Sequence, residues 1–224
     1  MAIRKVTIDD GFNPELVEGA VRDGIFGVPL IELPRDSTPP QGFTTFSNRH
    51  RAPTEGEALC FFEHDAVFAD VLIHPEDYVD EFAGFQIVVP PDCSTYRNAP
   101  LMAQLANIYR SRAVGWYYQS RGANVWPLVR WGDERTYTTS VLPEKVAFSG
   151  ITHGSPVVVS GYGCMAGADN KVHFRAGLDA LLDTIEPPVV LVHGPMPESV
   201  FGPVMHRTEF LNYPDWTSRM KGGK

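Results

Sequence analysis

The chain has 224 residues, 43% of them hydrophobic and 11% aromatic, which is enough to fill a sizeable core and excludes disorder as the default state. Nineteen Lys and Arg against 27 Asp and Glu leave a formal net charge of −8. That balance disfavours holding duplex DNA through many phosphate contacts, because such affinity comes from Lys and Arg displacing counterions; a local basic site stays open.

At about 150 residues per domain the length allows one domain or two, and the even composition favours a single α/β domain over 1–224. Near the start, Arg4 and Lys5 are followed by Thr7, Asp9 and Asp10 where a signal peptide needs an apolar core of about 7–15 residues. No run approaches the roughly 18 apolar residues of a membrane span. Cys60, Cys93 and Cys164 are odd in number and contain no CxxC pair. This fits a reducing cytoplasm and neither a disulfide framework nor a thiolate zinc site. A cytoplasmic protein without membrane contact is the expectation.

Along the chain, short apolar runs at 28–33, 58–62, 85–89, 124–129, 157–160 and 189–192 end in small or polar residues. Most are continuous rather than alternating, as strands buried on both faces are. From the second run onward the starts at 58, 85, 124, 157 and 189 lie about 27 to 39 residues apart, the spacing of βαβ units. The runs predict a mainly parallel sheet of about six strands with flanking helices, as an open three-layer sheet or an incomplete barrel.

Between the runs lie helix signals and loops. Residues 34–57 are rich in Pro, Ser, Thr and Gly and read as a long surface loop carrying Arg49, His50 and Arg51. His74-Pro75 places proline at a first helical position with acids behind it. Ala99-Pro100 opens a longer helix toward Arg121, closed by Gly122, with Met102, Leu105, Tyr109, Ala113 and Trp116 as its apolar stripe. Asn107, Arg110, Val114, Tyr118 and Arg121 fall opposite, and Arg112 lies close enough to the stripe to be partly buried. After Asp169-Asn170, Phe174, Leu178, Leu181, Leu182 and Ile185 mark a third helix that Pro187-Pro188 stops. The stretch 195–224 holds four prolines and ends Lys-Gly-Gly-Lys, so it reads as an extended tail that wraps the surface and frays.

In a parallel sheet the loops leaving the strand carboxyl ends share one edge, where open sheets and barrels build their sites. Glu63, His64 and Asp65 follow the second run; Asp92, Ser94 and Arg97 the third; Arg130, Trp131, Asp133, Glu134 and Arg135 the fourth; Ser160 to Tyr162 the fifth; His193 and Gly194 the sixth. Asp92 is expected as a general base or anchor, with Arg97 and the next helix start receiving an anion; the plainer reading is a turn cap by Asp92 or Ser94. Arg112 reads as an anion clamp or a buried partner of an acid. Trp131 offers a stacking surface, and Asp133 and Glu134, with Asp92, supply oxygens for acid–base work or for Mg²⁺.

Other motifs carry less. The glycines of 161–167 resemble a phosphate loop, but about eight residues separate Gly163 from the first firm helical turn and no ribose-binding acid follows, so they read as loop glycines. The seven histidines form no HxxxH or HExxH pair, leaving the metal unassigned. Cys93 would need a lowered pKa to act as a nucleophile; a small buried side chain is the simpler account.

The stretch PPDCSTYRNAP and its continuation to RWGDERTY resemble a family of unknown function, DUF4417, carried by bacteriophages, plasmids and bacterial genomes. That family's pattern of S-P-D-F-S, Y-R, N-x-Y-R-S-R and W-x-D-E is met at Pro91, Asp92, Ser94, Tyr96, Arg97, Asn107, Tyr109, Arg110, Ser111, Arg112, Trp131, Asp133 and Glu134, within about residues 58–195. Pro90 and Cys93 stand where Ser and Phe are usual. The resemblance implies a mobile-element origin and no reaction. Two functions follow as expectations: a pocket for a nucleotide or other phosphate-bearing ligand at the strand carboxyl edge, or a phage accessory protein that binds a host protein, its loop or tail serving as a docking surface or as the arm of a homo-oligomer.

Overall fold

The computed structural model describes residues 13–51 and 54–215. Six strands form two parallel three-stranded sheets: β1 (Gly42–Thr45), β2 (Glu57–Cys60) and β3 (Ile87–Val88) in one, β4 (Val157–Ser160), β5 (Val189–His193) and β6 (Glu209–Tyr213) in the other. Each neighbouring pair runs parallel. Residues 124–129 join the two sheets. Val88 N–H donates to Asn124 O at 2.9 Å and Trp126 N–H to Val88 O at 3.2 Å, while Val129 N–H donates to Val158 O and Val158 N–H to Pro127 O on the other side. Seven strand positions therefore follow one another in a single direction.

The array curls on itself. Alternate residues of a strand face opposite sides, and one set meets in a common interior: Phe43, Cys60, Ile87, Val89, Trp126, Leu128, Val158 and Leu191. The edges β1 and β6 share no ladder; they are joined by the Phe43 and Tyr213 rings, 5.0 Å apart, and by the Tyr213 hydroxyl on Pro40 O at 2.8 Å. Of the two expected architectures this is the incomplete barrel.

The outward set meets the helices. Leu59, Phe61, Val88 and Val125 pack with α1 (Leu101–Ser120), and Val129, Val157, Val159, Val190 and Val192 with α2 (Ala168–Ile185). The α2 stripe of Phe174, Leu178, Leu181, Leu182 and Ile185 is buried throughout, as its spacing predicts, each side chain contributing about 1.5–3 kcal/mol. Glu186 in the left-handed region ends the helix before Pro187. The His74-Pro75 signal yields a short 3₁₀ turn, Pro75–Tyr78, and a single α turn, Val79–Phe82.

Three expectations fail and a fourth holds only in part. The 28–33 run is no barrel strand: Val28–Pro29 pairs antiparallel with Arg22–Asp23, and Ile31 instead packs beside Gly115 of α1. Residues 34–57, expected as a surface loop, contain β1, every residue of which is buried; two threonines and a glycine masked a strand that packs on both faces. The expected tail contributes β6 and a short helix, Glu198–Phe201, with Val200, Phe201 and Val204 buried; residues 216–224, the expected frayed end, lie outside the described residues.

The α1 stripe is met in part: Ala113 is buried, Leu105, Tyr109 and Trp116 pack against the core and Arg112 is buried as expected, but Met102 and the opposite side depart from it. Met102 is 75% exposed, whereas Gln104, Ile108, Ser111, Arg112, Val114, Gly115 and Tyr118 are buried. The burial follows polar anchors rather than hydropathy. Arg112, fully buried, donates from Nη1 to Leu128 O at 2.6 Å, from Nε to Ser149 O at 3.1 Å and from Nη2 to Ala147 O at 3.1 Å. No acid among the described residues partners it, and burial pushes its pKa down to about 10. Its methylenes face inward because its fork ties α1 to the fourth strand and to the loop before β4. Arg112→Met should leave these carbonyls unpaired and lower unfolding free energy by about 3 kcal/mol or more, read as a shift of the urea midpoint.

Candidate functional site

The chain leaving β3 turns at once. Cys93 N–H donates to Pro91 O, and Pro90 lies so close to α1 that a Cβ on Gly115 would stand 2.7 Å from its ring. This corner directs Asp92 inward, where it is 8% exposed. Both carboxylate oxygens accept from the Arg130 fork, Oδ1 from Nε at 2.7 Å and Oδ2 from Nη2. Arg130 Nη1 then reaches Ser160 O at 3.2 Å and Cys164 Sγ at 2.8 Å. Burial works against the charge on Arg130, but Asp92 and the Cys164 sulfur outweigh it and hold its pKa above the ordinary range. One guanidinium thus ties the ends of β3, the fourth strand and β4.

Ser94 is held from another side. Asp65, from the loop after β2, accepts from its N–H at 3.0 Å and from its hydroxyl at 2.6 Å, and Asn107 of α1 donates to its carbonyl at 2.6 Å. Cys93 is buried, and desolvation, with Asp65 and Asp92 nearby, pushes its thiol up, the wrong direction for a thiolate nucleophile.

Asp133 caps the short helix Glu134–Tyr137. It accepts from Arg135 N–H and side chain and from Gln104 Nε2 at 2.8 Å, and these bonds, Arg135 first, hold its carboxyl near 2. Glu134 is exposed. With both oxygens of Asp92 on Arg130 and both of Asp133 on Arg135 and Gln104, the three carboxylates expected for acid–base work or Mg²⁺ have no common focus, and no group of three His, Cys, Asp or Glu among the described residues is placed to hold a metal ion. Trp131 is 8% exposed and packs on α2, its ring 4.9 Å from Phe174 and pressed against Gly177, where a Cβ would fall 2.3 Å from the indole.

Between these groups lies a cavity of about 170 Å³. Thr95, Tyr96 and Arg97 form one wall, Val129 to Gly132 the second, Ser160, Gly163 and Cys164 the third, and Asn170, His173 and Phe174 of α2 the fourth. Of the expected site residues, Arg97 and Trp131 line it, Asp92 stands behind Arg130, and Arg112, Asp133, Glu134 and Ser94 do not reach it. Arg97 is exposed and makes no hydrogen bond or ion pair with a described residue. No acid among the described residues lines the cavity.

Sequence reasoning placed Arg130, Ser160 and His193 on the rim without giving them roles, and it missed Cys164, Asn170 and His173. The helix start was the missing signal: α2 begins at Ala168, only five residues after Gly163, which brings its first two turns to the cavity. His173 Nε2 lies 2.7 Å from Gly132 O, fixing it against the wall. His193 is 3% exposed, stacked on Phe62 at 4.3 Å, with Nδ1 3.4 Å from Ser160 Oγ and Nε2 without a hydrogen-bond partner among the described residues.

Residues 20–214 match the family model of a domain of unknown function, DUF4417. The chain is 33% identical over 175 residues to the "Gene 1 protein" of Mycobacterium phage D29, covering 77% of this chain and 61% of the relative. It is 36% identical over 148 residues to the "Gene 1 protein" of Mycobacterium phage L5, covering 65% of this chain and 62% of the relative. The chain thus spans about three fifths of the length of these curated relatives. No solved structure matches. No helix among the described residues is long and apolar enough to cross a membrane.

Burial, with Arg130 adding and Asp215 opposing, lowers the His193 pKa from 6.5 to about 4. The unfolded chain therefore takes up this proton before the fold does, and stability is fully present above pH 6.5 and lost as pH falls toward 4. The loss is about 3 kcal/mol. Urea titrations across this range should show that slope, and His193→Gln should flatten it.

Proposed function

The chain belongs to the DUF4417 family, and on that footing we propose that it binds a small phosphate-bearing ligand, a nucleotide or another phosphate ester, in the cavity at the strand carboxyl edge. One observation carries this reading: in a protein of net charge −8, the cavity is lined, among the described residues, by two arginines and no acid. Arg97 offers an uncommitted fork for bidentate contact with an anion. Arg130, held rigid by Asp92, lines the same space and has one of its five N–H donors left after four are engaged. The first turns of α2 approach from a third side, its start capped by Gly167 without a side-chain acceptor. Val129, Trp131 and Phe174 supply an apolar wall for the rest of the ligand. Asp92 acts here by positioning Arg130, not as a base. With phage proteins among its relatives, the chain is a mobile-element product that works in the host cytoplasm.

The alternative reading, a phage accessory protein that docks on a host protein, draws on the exposed apolar residues Val21, Ile25, Phe26 and Leu33 around the first hairpin. In that case Ile25→Asp, and not Arg97→Ala, should abolish the host complex.

Isothermal calorimetry with inorganic phosphate, mononucleotides and short oligonucleotides, with and without Mg²⁺, tests the ligand reading. Binding should appear for at least one anion, and Arg97→Ala, an exposed position, should weaken it about tenfold or more without changing stability. A folded sample silent across the panel overturns it.

A further inference from the structure

The phosphate reading leaves His173 without a role. Of α2, residues 170, 173 and 174 line the cavity, at i, i+3 and i+4 on one helix face, so the side chain at 173 points toward it. The half-buried ring is held at its edges. Nε2 lies 2.7 Å from Gly132 O, and because a carbonyl only accepts, this nitrogen carries the hydrogen. Nδ1 is the bare nitrogen of the neutral ring, 3.5 Å from the Tyr137 hydroxyl, with the two rings 5.6 Å apart. Arg97 comes near the same wall from the loop after β3: burial, then Glu134, pushes the Tyr137 pKa up, and the Arg97 charge works against them. Arg97, Arg130 and His173 therefore line one space.

We propose that His173 is the third cationic group of this site, taking a proton at Nδ1 as the anion binds, and that the ligand is a terminal phosphate of two negative charges, a monoester or free phosphate, and not an internal phosphodiester. This rests on the phosphate reading of the cavity. The proton has a place to go: Nε2–H stays on Gly132 O, and Nδ1–H meets the Tyr137 oxygen, which as a hydroxyl can also accept. In the free protein the charge is opposed, since Arg97 and Arg130 face the ring from the β3 loop and the end of the fourth strand, and only Arg130 is offset, by Asp92. The acids around the ring do little for it: Asp133 is bound by Arg135 and Gln104, Glu134 is exposed, and Asp169 stands a turn earlier on α2, also exposed. Cys164 is the remaining titratable group on the cavity wall. A bound dianion reverses the sign of the local field and favours the third cation. By reciprocity the proton strengthens the anion's binding by the same factor.

Size and charge select the ligand class. The cavity, about 170 Å³ against the roughly 300–1,000 Å³ of drug-sized ligand sites, takes a phosphoryl group and a short substituent. It is walled by four chain segments, and a diester, substituted on two sides, would need two ways out. A monoester carries a charge of about −1.5 to −2 at neutral pH, whereas a diester carries one negative charge and gains less from three cations.

The test is calorimetry of the full chain with sulfate, a dianion whose own charge is constant between about pH 5.5 and 8, the interval in which histidines ordinarily change charge. Sulfate affinity should rise about fivefold or more as the pH falls across that interval, and titrations in buffers of different ionisation enthalpy should show proton uptake on binding. His173→Gln should remove both effects while sulfate affinity at about pH 8 stays within about threefold; His173→Asn is the second variant should the first fail to fold. At that same pH, methyl phosphate should bind about tenfold or more tighter than dimethyl phosphate. Sulfate binding that is flat with pH, or proton uptake that survives in the folded variant, overturns this inference and leaves the phosphate site standing. Dimethyl phosphate binding as tightly as methyl phosphate also overturns it. Silence with all three anions removes both readings.

Discussion

The contact between Asp92 and Arg130 governs how the carboxyl edge of the barrel is put together. Each charge alone would be expensive to bury, by several kcal/mol, and the pair is tolerable only because the fork meets the carboxylate with two bonds and two of the three remaining guanidinium donors find Ser160 O and the Cys164 sulfur. A buried ion pair is weak evidence for stability as such, but this one has a geometric effect. It joins the end of one three-stranded sheet, through the linking strand, to the end of the other, and it orients a cation toward the cavity while neutralising the acid behind it.

Around that contact the polar residues fall into two groups by the partners they have. Ser94, Arg112 and Asp133 are anchored: Asp65 and Asn107 hold the first, three backbone carbonyls the second, Arg135 and Gln104 the third. They fix loops and a helix and do not line the cavity. Arg97 makes no hydrogen bond or ion pair with a described residue, and it is the group to which ligand binding is assigned. Of the residues that carry the family resemblance, Ser94, Arg112 and Asp133 fall in the first group and Arg97 in the second.

The parts of the fold that were legible in the sequence are those where hydropathy alone decides burial. The runs at 58–62, 85–89, 124–129, 157–160 and 189–192 all occupy strand positions, and the α2 stripe is buried residue for residue. Illegible were the elements whose burial depends on polar contacts. Thr44 sits in the core because its hydroxyl reaches Glu57 at 3.0 Å, and Gln104 and Arg112 turn α1 toward the barrel by bonds to loops distant in the chain. Such bonds have no local periodicity. In the site, the rim was predictable from strand ends, and Asp92, Arg97, Arg130, Trp131, Ser160 and His193 do share it. The allocation of partners was not, because Asp92 meets Arg130 across 38 positions of sequence.

The meeting of β1 and β6 has a consequence for how the molecule is made. Tyr213 closes on Pro40 across 173 residues, and until it does the outer edge of β1 has no strand beside it. On the ribosome β1 emerges early and must wait for nearly the whole chain before its neighbour exists. High contact order of this kind slows folding, and the waiting edge is open to pairing with other nascent chains. The prolines before β1, at 34, 39 and 40, lack the N–H that such pairing needs and shield the approach during that interval.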